Sequence, residues 1–150
     1  MREILKKEGR RMQKSVVIIE DEPSHAELAL KVFQEPPAWR TLWLPDGEEG
    51  LNFLLRHGKY TGAWVPNLVI LNLLMPKRHG LEVLQAVKKQ PELSVLPIVV
   101  WSIGMEPKEI RLAYELGAAA YFSKPAKEEQ LLTQLRIIRM FWDCAQLPQG

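Results

Sequence analysis

Residues 68–76 read LVILNLLMP. Leu68, Val69, Ile70 and Leu71 form a continuous apolar run that ends on an amide, Asn72, and Pro76 follows four positions later. Such a run, without polar alternation, is the pattern of a strand buried on both faces of a parallel sheet. An amide at the end of a buried strand needs a partner or a purpose, because an unpaired polar group there is costly.

The segments on either side repeat the pattern. Residues 15–19 (SVVII) form a second apolar run, and EDEPSHAELALKVFQ after it has helical periodicity with Pro23 in its first turn. Residues 39–44 read as a strand, and Asp46-Gly47 opens a helix whose apolar face is Leu51, Leu54 and Leu55. Beyond the opening stretch a helix carries Leu81, Val83, Leu84 and Val87, LPIVVWS is a fourth strand, and EPKEIRLAYELGA is a helix stopped by Gly117. Residues 120–122 form a short fifth strand, and a long helix runs from beyond Lys124-Pro125 to about Cys144. Apolar strands alternating with amphipathic helices predict a doubly wound, flavodoxin-like (βα)5 fold with five parallel strands in the order 2-1-3-4-5.

Composition sets outer limits. The 150 residues suit one domain, and 47% hydrophobic with 25% charged residues is ordinary for a globular protein. No apolar run approaches the ~20 residues that cross a bilayer, and no secretory signal is present, so a cytoplasmic location is expected. The lone Cys144 agrees with a reducing compartment. Residues 1–14 hold six basic and two acidic residues; removing them from totals of 20 and 18 leaves 14 basic and 16 acidic. The expected division is a basic tail at 1–14, a folded domain at 15–146 and a short tail at 147–150. A solvated tail is preferred over contact with nucleic acid or anionic lipid, since neither aromatic interleaving nor finger spacing accompanies the charge.

In open α/β sheets, function gathers outside the carboxyl ends of the strands. Strand one ends in Glu20-Asp21-Glu22, strand three in Asn72 and strand four in Ser102, while strand five leads into Ser123-Lys124-Pro125. Carboxylates suit a hard cation such as Mg²⁺, and a lysine and a hydroxyl suit phosphoryl oxygens. Glu20 and Asp21 alone also read as charges favouring a helix N-terminus, but the whole set at successive strand ends argues for a site.

At these residues the chain resembles the receiver domains of two-component response regulators, over about residues 15–140. The motifs are EDE, LNLLMPKRHG, VVWS and YFSKP. The resemblance implies a phospho-acceptor position at Asn72 and Mg²⁺ ligands at Glu20, Asp21, Asn72 and the carbonyl of Leu74. It further implies a switch hydroxyl at Ser102, a switch aromatic at Tyr121, a phosphate-contacting Lys124, and a cis-peptide proline at Pro125. The family's acceptor is an aspartate, and a neutral carboxamide cannot form the acyl phosphate. The expectation is therefore a single-domain protein, with no output domain and no turnover of its own, that acts by protein contact and has a weakened Mg²⁺ site in which Lys124 hydrogen-bonds the Asn72 amide oxygen. His79 before Gly80 and Trp101 before Ser102 also depart from the family pattern, which favours natural degeneracy over an engineered aspartate-to-asparagine change.

Rival readings are a small Mg²⁺-dependent phosphohydrolase and an FMN carrier. The first lacks a nucleophile other than Asp21, and the carboxylates after strand one would repel the phosphate of the second. Within the family, FLLRHGKYTGAWVPN, SIGMEPKEI and RMFWDCAQLPQG resemble the receivers paired with bacterial phytochrome kinases, which implies a sensor histidine kinase of that kind as partner. In the last helix Leu131, Leu135, Ile138 and Trp142 form a core stripe. Ile137, Met140, Phe141 and Cys144 form a second apolar set, expected at a homodimer interface. His25, His57 and His79 read as surface or helix-end residues. Trp64 and Trp101 lie near strand ends where a partner would dock, with core packing the alternative for each.

Overall fold

The computed structural model describes residues 13–148. Its strands are β1 (Ser15–Ile19), β2 (Arg40–Leu44), β3 (Leu68–Leu71), β4 (Ile98–Ser102) and β5 (Ala120–Ser123). Between and after them lie α1 (Pro23–Gln34), α2 (Gly47–Leu55), α3 (Gly80–Lys88), α4 (Pro107–Glu115) and α5 (Glu128–Cys144). All strand pairs are parallel and the sheet order is β2-β1-β3-β4-β5. This is the flavodoxin-like arrangement expected from the apolar runs.

The period-2 geometry of the strands splits the core into two layers. On one face Val17, Ile19, Val69, Leu71, Ile98 and Val100 pack against Leu51, Phe53 and Leu54 of α2 and Val83, Leu84 and Val87 of α3. On the other, Val16, Ile18, Leu68, Ile70, Val99 and Trp101 meet Ala29, Val32 and Phe33 of α1 and Leu131, Leu135 and Ile138 of α5. With β1, β3 and β4 covered on both faces, every one of their residues is buried. That is why no polar alternation is present in those runs.

Register sets up the site. Ile19 pairs with Leu71, and Leu71 with Val100, so Glu20 and Asn72 each stand one residue beyond the same row. Close approach of α3 to this edge depends on Gly80, where an added Cβ would lie 2.4 Å from the Asn72 carbonyl oxygen.

Three long-range contacts tie the amino-terminal edge and α5 to the domain. The Lys14 ammonium, at the end of the basic segment, donates to the carbonyls of Trp142 (2.6 Å), Asp143 (2.7 Å) and Ala145 (3.2 Å). It thus caps α5 with a positive charge where the helix leaves its carbonyls unpaired. The rest of the expected basic tail, residues 1–12, lies outside the described residues, as do residues 149–150. Trp39, expected to open β2, instead packs edge-on against Phe33 and donates its indole N–H to Asp143 Oδ1 at 2.7 Å. The guanidinium of Arg139, 7% exposed, donates to the carbonyls of Val32, Glu35 and Pro37 and to Asp143 Oδ2.

Candidate functional site

At the carboxyl edge of the sheet the structure brings together Glu20, Asp21, Asn72, Leu74, Ser102 and Lys124. Glu20 is 1% exposed and Asn72 7%, while Ser102 is fully buried. The Asn72 carboxamide is bonded at both ends. Its oxygen accepts the Ser102 hydroxyl at 2.8 Å. Its nitrogen donates to Glu20 Oε2 at 2.9 Å and Asp21 Oδ1 at 2.8 Å, with the Leu74 carbonyl at 3.5 Å. Two carboxylate oxygens at this range require a donor, which fixes the orientation of the amide. Ser102 also accepts the Leu73 backbone N–H at 3.3 Å, which ties the end of β4 to the turn after β3.

Lys124 is directed to its place by its own backbone N–H, which donates to the Ser102 carbonyl at 2.8 Å. Its ammonium does not reach Asn72, contrary to the sequence expectation. It pairs with Glu20 Oε1 and lies 2.9 Å from His25 Nδ1. A full negative charge attracts the ammonium more strongly than a neutral amide oxygen does, and Asn72 has already given its oxygen to Ser102. The ammonium also sits 4.5 Å from the centroid of the Trp101 ring, a cation–π placement. Burial pushes the Glu20 carboxyl above its usual range, and the Lys124 charge opposes that rise.

Other expected positions fare differently. The Tyr121 hydroxyl points away from Asn72, to Glu109 Oε1 at 3.2 Å and the Gly104 carbonyl at 3.4 Å. Burial, and then the Glu109 carboxylate, pushes its pKa up to about 12. The Lys124–Pro125 bond is trans, and the cis bond among the described residues is Pro36–Pro37. A trans X–Pro bond is the lower-energy isomer and asks nothing of its surroundings. Trp101 is fully buried and donates its indole N–H to Gln134 Oε1 at 2.7 Å, so it is core and no docking residue. Trp64 precedes β3 and therefore lies at the opposite, amino edge of the sheet, against Phe53 and under Arg40.

His57 is exposed, and His79 caps α3 by accepting the Leu81 N–H at 3.1 Å, as helix-end histidines do. His25, expected at the surface, is instead a site residue that the sequence pattern misses. Burial, and then the neighbouring Lys124 charge, holds its imidazole below the ordinary pKa. The signal that could have found it is its place in the first turn after the EDE motif, facing the strand ends.

Glu20 Oε2, Asp21 Oδ1 and the Leu74 carbonyl are the oxygens that could take a divalent ion. As oriented they do not fit one: all three face the hydrogens of the Asn72 amide, and Glu20 Oε1 is held by Lys124. Among the described residues no group of three or more His, Cys, Asp or Glu is arranged to hold a metal ion.

A five-stranded parallel sheet with acids, a hydroxyl and a lysine at its carboxyl edge defines a receiver, and the chain belongs to the response regulator receiver domain family, whose model matches residues 16–136. Among individual proteins, it is 31% identical over 128 residues to the probable methanogenesis regulatory protein FilR2 of Methanothrix harundinacea, covering 85% of this chain and 82% of that one. Response regulator Rcp1 of Synechocystis sp. is 30% identical over 130 residues, 86% of this chain and 88% of Rcp1. The crystal structure of Mn²⁺-bound Rcp1 superposes with a TM-score of 0.88 at 29% identity, over 91% of this chain and 99% of that one. The phosphorylated cyanobacterial phytochrome response regulator RcpA matches with the same TM-score, 0.88, at 30% identity and the same coverage, 91% and 99%. No helix among the described residues is long and apolar enough to cross a membrane.

Proposed function

We propose that this chain is a receiver of phytochrome-type two-component signalling that acts through protein contact, because its phospho-acceptor position holds Asn72. In this reading residues 15–146 are the signalling unit, a sensor histidine kinase of the phytochrome class is the partner, and no catalytic turnover, nucleic acid or membrane is involved. The likeness to Rcp1 and RcpA over nearly their whole length supports the choice of partner. A cytoplasmic location goes with a soluble kinase-facing role.

The observation that carries the proposal is the amide at the end of β3. Phosphoryl acceptance needs an ionised carboxylate oxygen free to attack, and here the single side-chain oxygen is neutral and bonded to Ser102. Ser102 and Tyr121 are the switch residues in this reading, and Lys124 is the phosphate-contacting lysine. With no phosphoryl group to hold, Ser102 stays on Asn72 and Lys124 stays on Glu20. The complete bonding of the carboxamide supports asparagine as the residue around which the site is built, rather than a later replacement of an aspartate. A homodimer through the exposed apolar face of α5 belongs to the same proposal.

Incubation with radiolabelled acetyl phosphate and Mg²⁺ tests it. The unmodified chain should stay unlabelled, and Asn72→Asp should take up label that is lost in alkali as an acyl phosphate is. Alkali-labile labelling of the unmodified chain overturns the proposal.

A further inference from the structure

We infer that the Asn72 carboxamide nitrogen is a built-in occupant of the cation position, so that the site is held closed by the chain's own hydrogens and excludes Mg²⁺. This rests on the reading of Asn72 as the acceptor position and goes further: the metal site is filled rather than merely weakened.

Three oxygens meet at one nitrogen. Glu20 Oε2 lies 2.9 Å from Nδ2, Asp21 Oδ1 2.8 Å and the Leu74 carbonyl 3.5 Å. An amide NH₂ carries two hydrogens, and the two carboxylates take both. Glu20 Oε2 also accepts the Glu22 backbone N–H at 3.1 Å, and Oε1 is paired with Lys124. Of the two carboxylate oxygens facing the centre, Glu20 Oε2 is bonded twice and Asp21 Oδ1 once, and each of them accepts the amide that stands where an ion would sit. Mg²⁺ demands near-octahedral oxygen ligands at about 2.0–2.1 Å and dehydrates reluctantly. An N–H group pointing at the same spot occupies it with matching sign and no dehydration.

Entry of the ion would require the amide to turn over, so that its oxygen faces the acids. That breaks both carboxylate bonds and the 2.8 Å bond to Ser102, and it leaves the buried hydroxyl to find another acceptor. An aspartate of the same shape would do the opposite, setting three carboxylates against one another and calling for a cation. One atom's difference at position 72 thus converts a site that needs an ion into one that is complete without it.

Charge count alone makes a different prediction from occupancy, and Asn72→Ala separates them. The alanine variant keeps the net charge of the site and loses one oxygen ligand. If charge alone governs, it binds no more tightly than wild type. If the amide fills the position, its removal opens a space between two carboxylates, and Mn²⁺ should bind at least about tenfold more tightly, a difference of about 1.4 kcal/mol. Mn²⁺ titration of the full chain by electron paramagnetic resonance reads this for wild type, Asn72→Ala and Asn72→Asp, with the aspartate variant as the binding control. Equal or weaker binding by Asn72→Ala overturns the inference while leaving the phosphorylation result untouched. A second measurement needs no variant: the side-chain NH₂ resonances of Asn72 in the wild type should stay fixed through millimolar Mg²⁺. A saturable shift of that pair also overturns the inference.

Discussion

Lys124 and Glu20 form an ion pair in which the two side chains are 2% and 1% exposed. The residues are 104 positions apart, so the pair binds the end of β5 to the end of β1 across the middle of the site. Removing one partner of such a pair strands a buried charge, at a typical cost of about 3–5 kcal/mol. Lys124→Met should therefore lower the urea-unfolding free energy by that order. Adding Glu20→Gln to it should recover part of the loss, because the stranded charge is then gone. Strictly additive losses in the double variant would show that the two groups are not coupled.

His25 carries a pH dependence whose sign is set by its surroundings. Burial first, and then the ammonium of Lys124, hold the imidazole below its ordinary value of 6.5, and the carboxylates of Glu22 and Asp21 pull the other way without overcoming them. The folded state thus keeps His25 neutral while the unfolded chain takes up a proton near 6.5. Its stabilising contribution is present in full above that pH and is lost as pH falls from there to the depressed folded value. Unfolding free energy in the wild type should therefore fall as pH is lowered through this window, that is, rise with pH across it. In His25→Gln the slope should be shallower, and an unchanged slope would place the titration elsewhere.

Arg139 supplies the third prediction. Its Nη1 donates to the carbonyls of Val32 (2.5 Å) and Glu35 (2.7 Å), and Nη2 to that of Pro37 (2.7 Å), closing the carboxyl end of α1. Arg139→Leu fits the apolar surroundings but removes the donor of the Glu35 and Pro37 carbonyls and of Asp143 Oδ2, and leaves the Val32 carbonyl only the 3.4 Å bond from the Glu35 N–H. A loss of about 3 kcal/mol is expected, since each stranded buried group costs about 1–3 kcal/mol. Arg139→Lys should fall between, because an ammonium restores charge without the forked geometry. Denaturation midpoints of the three proteins check the order.

These residues mark where sequence reading succeeds and where it stops. The runs 15–19, 68–71 and 98–102 announce buried parallel strands because burial on both faces leaves no polar position, and parallel register then carries Glu20, Asn72 and Ser102 to one edge. The outcome of side-chain competition across that edge is not written in local pattern. Lys124 has both a carboxylate and an amide oxygen within its region, and only the assembled geometry shows that Glu20 takes it. Arg139 looks like one more solvated charge of α5 until the turn after α1 is placed against it. Trp101, beside Ser102 in sequence, points to the opposite face of the sheet from its neighbours Val100 and Ser102, and so enters the core between β4 and α5.

The last prediction concerns α5, where one helix serves two surfaces. Leu131, Leu135 and Ile138 are buried against the sheet, at 4%, 0% and 1% exposure. Ile137, Met140 and Phe141 on the adjoining face are 56%, 65% and 63% exposed, and Cys144 beside them is exposed as well. The spacing 137, 140, 141, 144 is one helical stripe, so these side chains form a continuous apolar surface and not scattered contacts. The domain's own core is already closed beneath the other stripe, and no element of the described chain remains to cover this one. A second copy provides a matching surface, since a two-fold axis beside α5 sets the same stripe against itself. Covering several hundred Å² at ~25 cal/mol per Å² contributes several kcal/mol before the cost of association. Wild-type protein should sediment as a dimer at micromolar concentration, with no phosphoryl donor present. Phe141→Glu places a charge on each side of the contact, and should sediment as a monomer that keeps the native circular dichroism spectrum, because position 141 is not part of the core, with its thermal midpoint lowered only by the lost association. A wild-type monomer, or a dimer that survives the glutamate, would remove α5 as the interface.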